Sequence, residues 1–135
     1  MGISSFLAPV PSEHLDGALD VLKEKPFVAF GTDAFEFFRT VERGARVLLY
    51  RSHDDAEPIV AYEGIYRGTE GDPAAMLRLA KGGFRPPSTA GERWGMYWKC
   101  SDIHSLQTPL ELSEIQLVSG KFLSGYPRGP LATAS

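Results

Sequence analysis

Cysteine is nearly absent: one residue of 135, Cys100, carries a thiol. A lone thiol closes no internal disulfide, so a disulfide-stapled secreted fold is excluded and a reducing, cytoplasmic setting is expected. Histidine is sparse too, three residues scattered along the chain, too few to build a zinc site with one cysteine. We therefore expect no structural metal and no cofactor. Long hydrophobic runs are missing as well, since no stretch nears the roughly 18 apolar residues that a membrane helix requires. The opening MGISSFLAPVPSEH lacks a basic segment followed by a long apolar one, and Gly2 with Ser5 does not complete a myristoylation signal. Neither an export signal nor a lipid anchor is expected.

The apolar fraction of 43% and charged fraction of 23% are those of an ordinary globular chain, of a size that buries one core. The net charge of −3 argues against a protein that coats nucleic acid by bulk attraction. The distribution says more than the total. Acidic residues are in excess over residues 1–60, whereas Arg78, Lys81, Arg85, Arg93 and Lys99 lie close together with only Glu92 opposing them. A local basic patch survives within an acidic protein.

Leu15, Ala18, Leu19 and Leu22 repeat at helical spacing after Ser12, and Pro26 limits the run at Lys25. Phe27 to Phe30 reads as a short buried strand. Asp33 and Glu36 stand at capping-box spacing before a second helix expected over 34–42 and closed by Gly44. RVLLYR (46–51) and PIVAYEGIYR (58–67) are rich in β-branched and aromatic residues and flank the polar stretch His53 to Glu57, the pattern of an antiparallel hairpin. Asp72-Pro73 opens a short third helix that Gly82-Gly83 closes. FRPPSTAG (84–91) is loop chemistry, and Trp94 to Cys100 and Ile115 to Val118 supply further strands. We expect one domain over residues 1–119 and an extended Gly/Pro-rich tail over 120–135.

This order, with Phe30-Gly31, Val47-Leu48-Leu49-Tyr50, Ile59-Val60-Ala61 and Thr108-Pro109-Leu110 at successive steps, resembles the EVE family of the PUA-like superfamily. Ala45 and Ala61 depart from it, where the family commonly has Asp and Gly. The resemblance implies an α+β fold, a strongly curved mixed sheet or pseudo-barrel flanked by short helices. EVE domains resemble YTH domains, and both read modified bases in nucleic acid, so the resemblance also implies a pocket for a base. The related ASCH branch includes RNA-associated members and hydrolases, but its glycine-lysine-glutamate-arginine signature is absent here.

The residues themselves point the same way. Tyr50, Tyr62, Tyr66, Trp94, Tyr97 and Trp98 exceed what a core of this size needs, and an aromatic wall suits an unstacked base because every base presents a π-face. Strand alternation puts Tyr97 and Lys99 on one face and Trp98 and Cys100 on the other, so one of the two large aromatics is core. Arg85, Ser88 and Thr89 precede this strand in a loop able to contact phosphate, with Arg93 and Lys99 nearby. Thr32 begins a helix whose free N–H groups suit an anion or a base edge. The candidate binding set is Phe30, Thr32, Tyr50, Arg51, Arg85, Ser88, Thr89, Trp94, Tyr97, Trp98 and Lys99.

No catalytic residue is assigned. Ser52-His53 and Ser101-Asp102 with His104 lack the elbow and the converging base of a hydrolytic triad. Two other classes stay open: an ASCH-like hydrolase of RNA or a nucleoside, for which Glu63 is the only carboxylate centred in a strand, and a protein-interaction domain, favoured by the acidic first half and the tail. A nucleic-acid partner is expected, a protein partner is an alternative, no membrane is expected, and oligomeric state is not legible.

Overall fold

The chain runs β1 (Ile3–Pro11), α1 (Ser12–Val21), β2 (Val28–Thr32), α2 (Phe35–Arg39), β3 (Val41–Ser52), β4 (Ile59–Glu70), α3 (Pro73–Lys81), β5 (Met96–Glu111) and β6 (Leu131–Ala132). These elements belong to a computed structural model that describes residues 2–52 and 58–134; the expected turn from His53 to Glu57 lies outside them. The strands form one mixed sheet in the order β2-β5-β4-β3-β1-β6. β1 and β3 run parallel, and the other pairs are antiparallel. The expected hairpin is present, with Arg46 opposite Ile65 and Leu49 opposite Tyr62.

The sheet curls. In a flat sheet β1 and β5, separated by β4 and β3, would lie about 14 Å apart at ordinary strand spacing. Here Phe6 of β1 sets its ring edge-on to Trp98 of β5, with centroids 5.7 Å apart. Phe6 also meets Phe37, Phe38 and Tyr66, so one fully buried ring ties both halves of the sheet to α2. Leu15, Ala18 and Val21 of α1 complete this main core, which accounts for their helical spacing.

A smaller core lies on the other side of the sheet, where Leu7, Leu48, Tyr50 and Val60 are covered by Leu112, Ile115 and Leu123. Strands β1 and β3 are therefore buried on both faces, which is why VLLY reads as a continuous apolar run. The C-terminal residues lie back on this side. Leu131 and Ala132 pair with Leu7 and Phe6, and the buried hydroxyls of Ser5 and Thr133 approach to 2.6 Å.

One strand was not expected, and three local expectations need revision. β1 carries no alternating signal, because Ser5 to Ala8 are all buried; its Pro9 and Pro11 sit beyond the two residues that β6 pairs. The second helix spans five residues, not nine, and Gly44 does not end it. Gly44 lies within β3 at φ +89°, where the pairing with β1 slips between Ile3 and Ser5. No capping box forms at Asp33: Ala34 N–H donates to Thr32 Oγ1, and Glu36 pairs with Arg39. Residues 115–118 make isolated bridges only, while β5 continues from Met96 through Pro109 to Glu111. The third helix is as expected, Asp72 accepting from Ala75 N–H at 3.0 Å with Pro73 beside it.

Cys100 is fully buried, and burial pushes its thiol pKa from 9.0 to about 12. That change cuts the thiolate fraction about a thousandfold at neutral pH. A disulfide reagent should therefore leave native protein essentially unlabelled over minutes and label it stoichiometrically in denaturant; fast native labelling would contradict this packing.

Candidate functional site

Curling brings the end of β1 toward edge strand β2, and a cleft of about 390 Å³ opens between them. Its wall on the β1 side is Ala8 to Pro11, followed by His14 from the first turn of α1. Opposite stand Phe30, Gly31 and Thr32 of β2, with Phe38 and Trp98 behind and Trp94 at the side. Arg128, Gly129 and Pro130 of the C-terminal segment reach its rim.

The aromatic floor follows from strand pairing. Phe30 is opposite Trp98 in the β2–β5 register, and their rings lie 4.9 Å apart. Trp98 also stacks on Phe38 at 5.5 Å. Trp94 differs in being 40% exposed. Its indole occupies the space that a side chain at position 31 would fill, so this placement requires glycine there. The Trp94 Nε1–H donates to Glu92 Oε2 at 3.0 Å, which fixes the ring's orientation.

Polar contacts hold the loop between α3 and β5 against the rest of the molecule. Gly95 N–H donates to Asp33 Oδ1 at 2.8 Å. His14 bridges α1 to this loop, with Nδ1 at 2.7 Å from Ser88 Oγ and Nε2 at 3.3 Å from Glu92 Oε1. Thr89 is buried and donates to Pro86 O. The cleft is thus chiefly apolar, with two carboxylates, an imidazole and one guanidinium at its margin.

Of the candidate set, Phe30, Thr32, Thr89, Trp94 and Trp98 line this cleft together. Ser88 adjoins it through His14. Tyr50 lies in the smaller core. Arg51 is held by Ser12 Oγ and Asp16 at the start of α1; burial alone would lower its guanidinium pKa, but Asp16 and then Tyr62 keep it above the usual value. Tyr97, Lys99 and Arg85 share the opposite face of β2 and β5, with Arg85 stacked on Tyr97 at 4.5 Å. Both large aromatics of β5 are buried, on opposite faces, and Trp98 is the one in the main core.

Sequence reasoning did not single out His14, Asp33, Glu92 or Arg128 as cleft residues. Asp33 looked like a helix cap. Arg128 lies more than a hundred residues from the rest of the β1 wall, and no local pattern brings it there.

The residues considered for hydrolysis lie elsewhere. Glu63 pairs with Arg46 at 2.9 Å and approaches His104 Nε2 at 3.3 Å. Ser101 Oγ donates to the Asp102 carboxylate and accepts from Arg67, while His104 Nδ1 lies at the Asp102 carbonyl, so the histidine does not address the serine hydroxyl and no Ser-His pair forms. His53 lies outside the described residues. Among the described residues no group of three or more His, Cys, Asp or Glu is placed to hold a metal.

Arg46 holds the Glu63 carboxyl below its ordinary value of 4.5, outweighing the effect of burial. A depressed carboxylate contributes stability above its unfolded pKa and loses it as pH falls through the folded one. The difference in urea midpoint between native protein and Glu63→Gln should be fully present at pH 6 and vanish in strong acid. A difference that does not change with pH would contradict the pairing.

No family model and no curated protein matches the chain by sequence. By structure it is similar to a solved protein, the ASCH protein from Zymomonas mobilis. The TM-score is 0.58 and the identity 12%, over 96% of this chain and 87% of that one. The likeness shows the fold: a PUA-like α+β architecture with a mixed six-stranded sheet. No helix among the described residues is long and apolar enough to cross a membrane.

Proposed function

We propose that this protein is a nucleic-acid-binding module that receives one unstacked nucleobase, natural or modified, in the cleft between β1 and β2. The observation that carries this reading is the pair Trp94 and Trp98 on one cleft, the first partly exposed and fixed by Glu92, the second buried on Phe30. A cleft of about 390 Å³ lies within the range of small-molecule sites, and stacking is worth about 1 to 3 kcal/mol per base. The EVE-like residue steps favour a reader within the PUA-like superfamily, acting in the cytoplasm.

The cleft's electrostatics refine the ligand. Asp33 and Glu92 offer acceptors to exocyclic amino groups and repel phosphate, so the base enters while the backbone stays outside. Titration calorimetry with short single strands, with and without methylated cytosine or adenine, should show saturable binding. Trp94→Ala should weaken it by about 1 to 3 kcal/mol. Equal, negligible binding by native protein and variant across all ligands would overturn the proposal and leave a protein-interaction domain in front.

A further inference from the structure

The cations outside the cleft form a second pattern. On the face of β2 and β5 turned away from the main core, three of them stand over rings. Lys25 Nζ is 5.1 Å from the Phe84 centroid, Lys99 Nζ 5.4 Å from Phe27, and Arg85 Cζ 4.5 Å from Tyr97. Phe27 and Phe84 stack on each other at 4.7 Å, joining rings and cations into one platform. Lys23, Arg39, Arg46, Arg51 and Arg67 each have a carboxylate within salt-bridge distance. Lys25, Lys99 and Arg85 have none among the described residues, in a chain with a net negative charge.

Arg85 carries the argument furthest. It is 8% exposed, its Nη1 makes one long bond of 3.4 Å to the Ala29 carbonyl, and its buried Nη2 has no hydrogen-bond partner among the described residues. Glu92 attracts it only at longer range than an ion pair. A guanidinium this buried is costly without an anion, and phosphate matches the geometry of the guanidinium fork.

We propose that this face binds the sugar-phosphate backbone of a single-stranded nucleic acid. Lys25 and Lys99, half-buried against their rings, make the outer contacts, and Arg85 swings from the Tyr97 ring to make the inner one. Alternating rings and cations fit a nucleic acid better than an acidic peptide, which has no use for the rings. The path from the cleft is short. Gly31 is opposite Tyr97 in the β2–β5 register and carries the Trp94 indole, so a strand with one base beside Trp94 passes its neighbouring phosphates over the β2 edge. The inference takes the identity of the polymer from the base-binding reading of the cleft.

The test uses a short oligonucleotide, an abasic sugar-phosphate chain of equal length, a free nucleoside and poly-glutamate. In the double variant Lys25→Gln, Lys99→Gln, the slope of log affinity against log salt should fall by about 1.4, at about 0.7 per phosphate contact. Oligonucleotide and abasic chain should weaken together, while nucleoside binding stays unchanged and reports an intact fold. Lys25→Arg with Lys99→Arg should restore the slope. An unchanged slope in the glutamine variant, native protein that ignores the abasic chain, or poly-glutamate bound as tightly as that chain would overturn the proposal. Failure of the cleft reading has a different signature: abasic binding kept, with no nucleoside binding by native protein.

Discussion

Replacing Phe6 with alanine is expected to lower the unfolding free energy by about 3 to 5 kcal/mol, a large part of what a domain of this size possesses. The residue is fully buried, and its ring makes edge contacts with Phe37, Phe38, Tyr66 and Trp98, at centroid distances of 5.5 to 5.9 Å. Four rings on α2, β4 and β5 would then face one cavity, and their mutual packing limits how far they can relax into it. Urea unfolding followed by circular dichroism measures the cost. A loss below about 1 kcal/mol would mean that the curl of the sheet does not depend on this ring.

The contrast between Phe6 and the hairpin shows what was legible in the sequence. RVLLYR and PIVAYEGIYR are neighbours along the chain, so composition and a short connection sufficed to pair them. Phe6 lies in a segment whose residues are buried on both faces and interrupted by prolines, so neither strand nor helix periodicity marks it. Its partner strand β3 is some forty residues away and parallel, a pairing that local pattern cannot announce. The same limit governs the site. Phe30, Trp94 and Trp98, which line the cleft, were among the candidates because large aromatics stand out in a sequence. Alternation put Tyr97 and Trp98 on opposite faces, but which of them faces the main core needed the pairing of β2 on β5, and Arg128 needed the course of the C-terminal segment.

That segment carries the second large effect. Removing residues 120–135 should destabilise the protein by at least the cost of one buried leucine, about 2 to 5 kcal/mol. The truncation uncovers the smaller core at Leu123, strips Leu131 and Ala132 from β1, and leaves the buried Ser5 hydroxyl without Thr133. It also deletes the cleft rim formed by Arg128, Gly129 and Pro130. The point variant Leu123→Ala separates the two consequences, since it should reproduce part of the instability and keep ligand binding. A truncated chain that melts with the full-length protein would show that residues 120–135 are dispensable to the fold.

The claim that one base stacks in the cleft can be read directly from tryptophan emission, because both tryptophans of the chain line that cleft. The measurement is a titration of native protein and Trp94→Ala with a short single-stranded oligonucleotide and with its abasic counterpart, at fixed salt. Native emission should be quenched saturably by the oligonucleotide and hardly at all by the abasic chain. Trp94→Ala should require about 5 to 150 times more oligonucleotide for half-saturation, the equivalent of about 1 to 3 kcal/mol. Quenching that never saturates, or a native protein and Trp94→Ala variant with the same midpoint, would contradict the account.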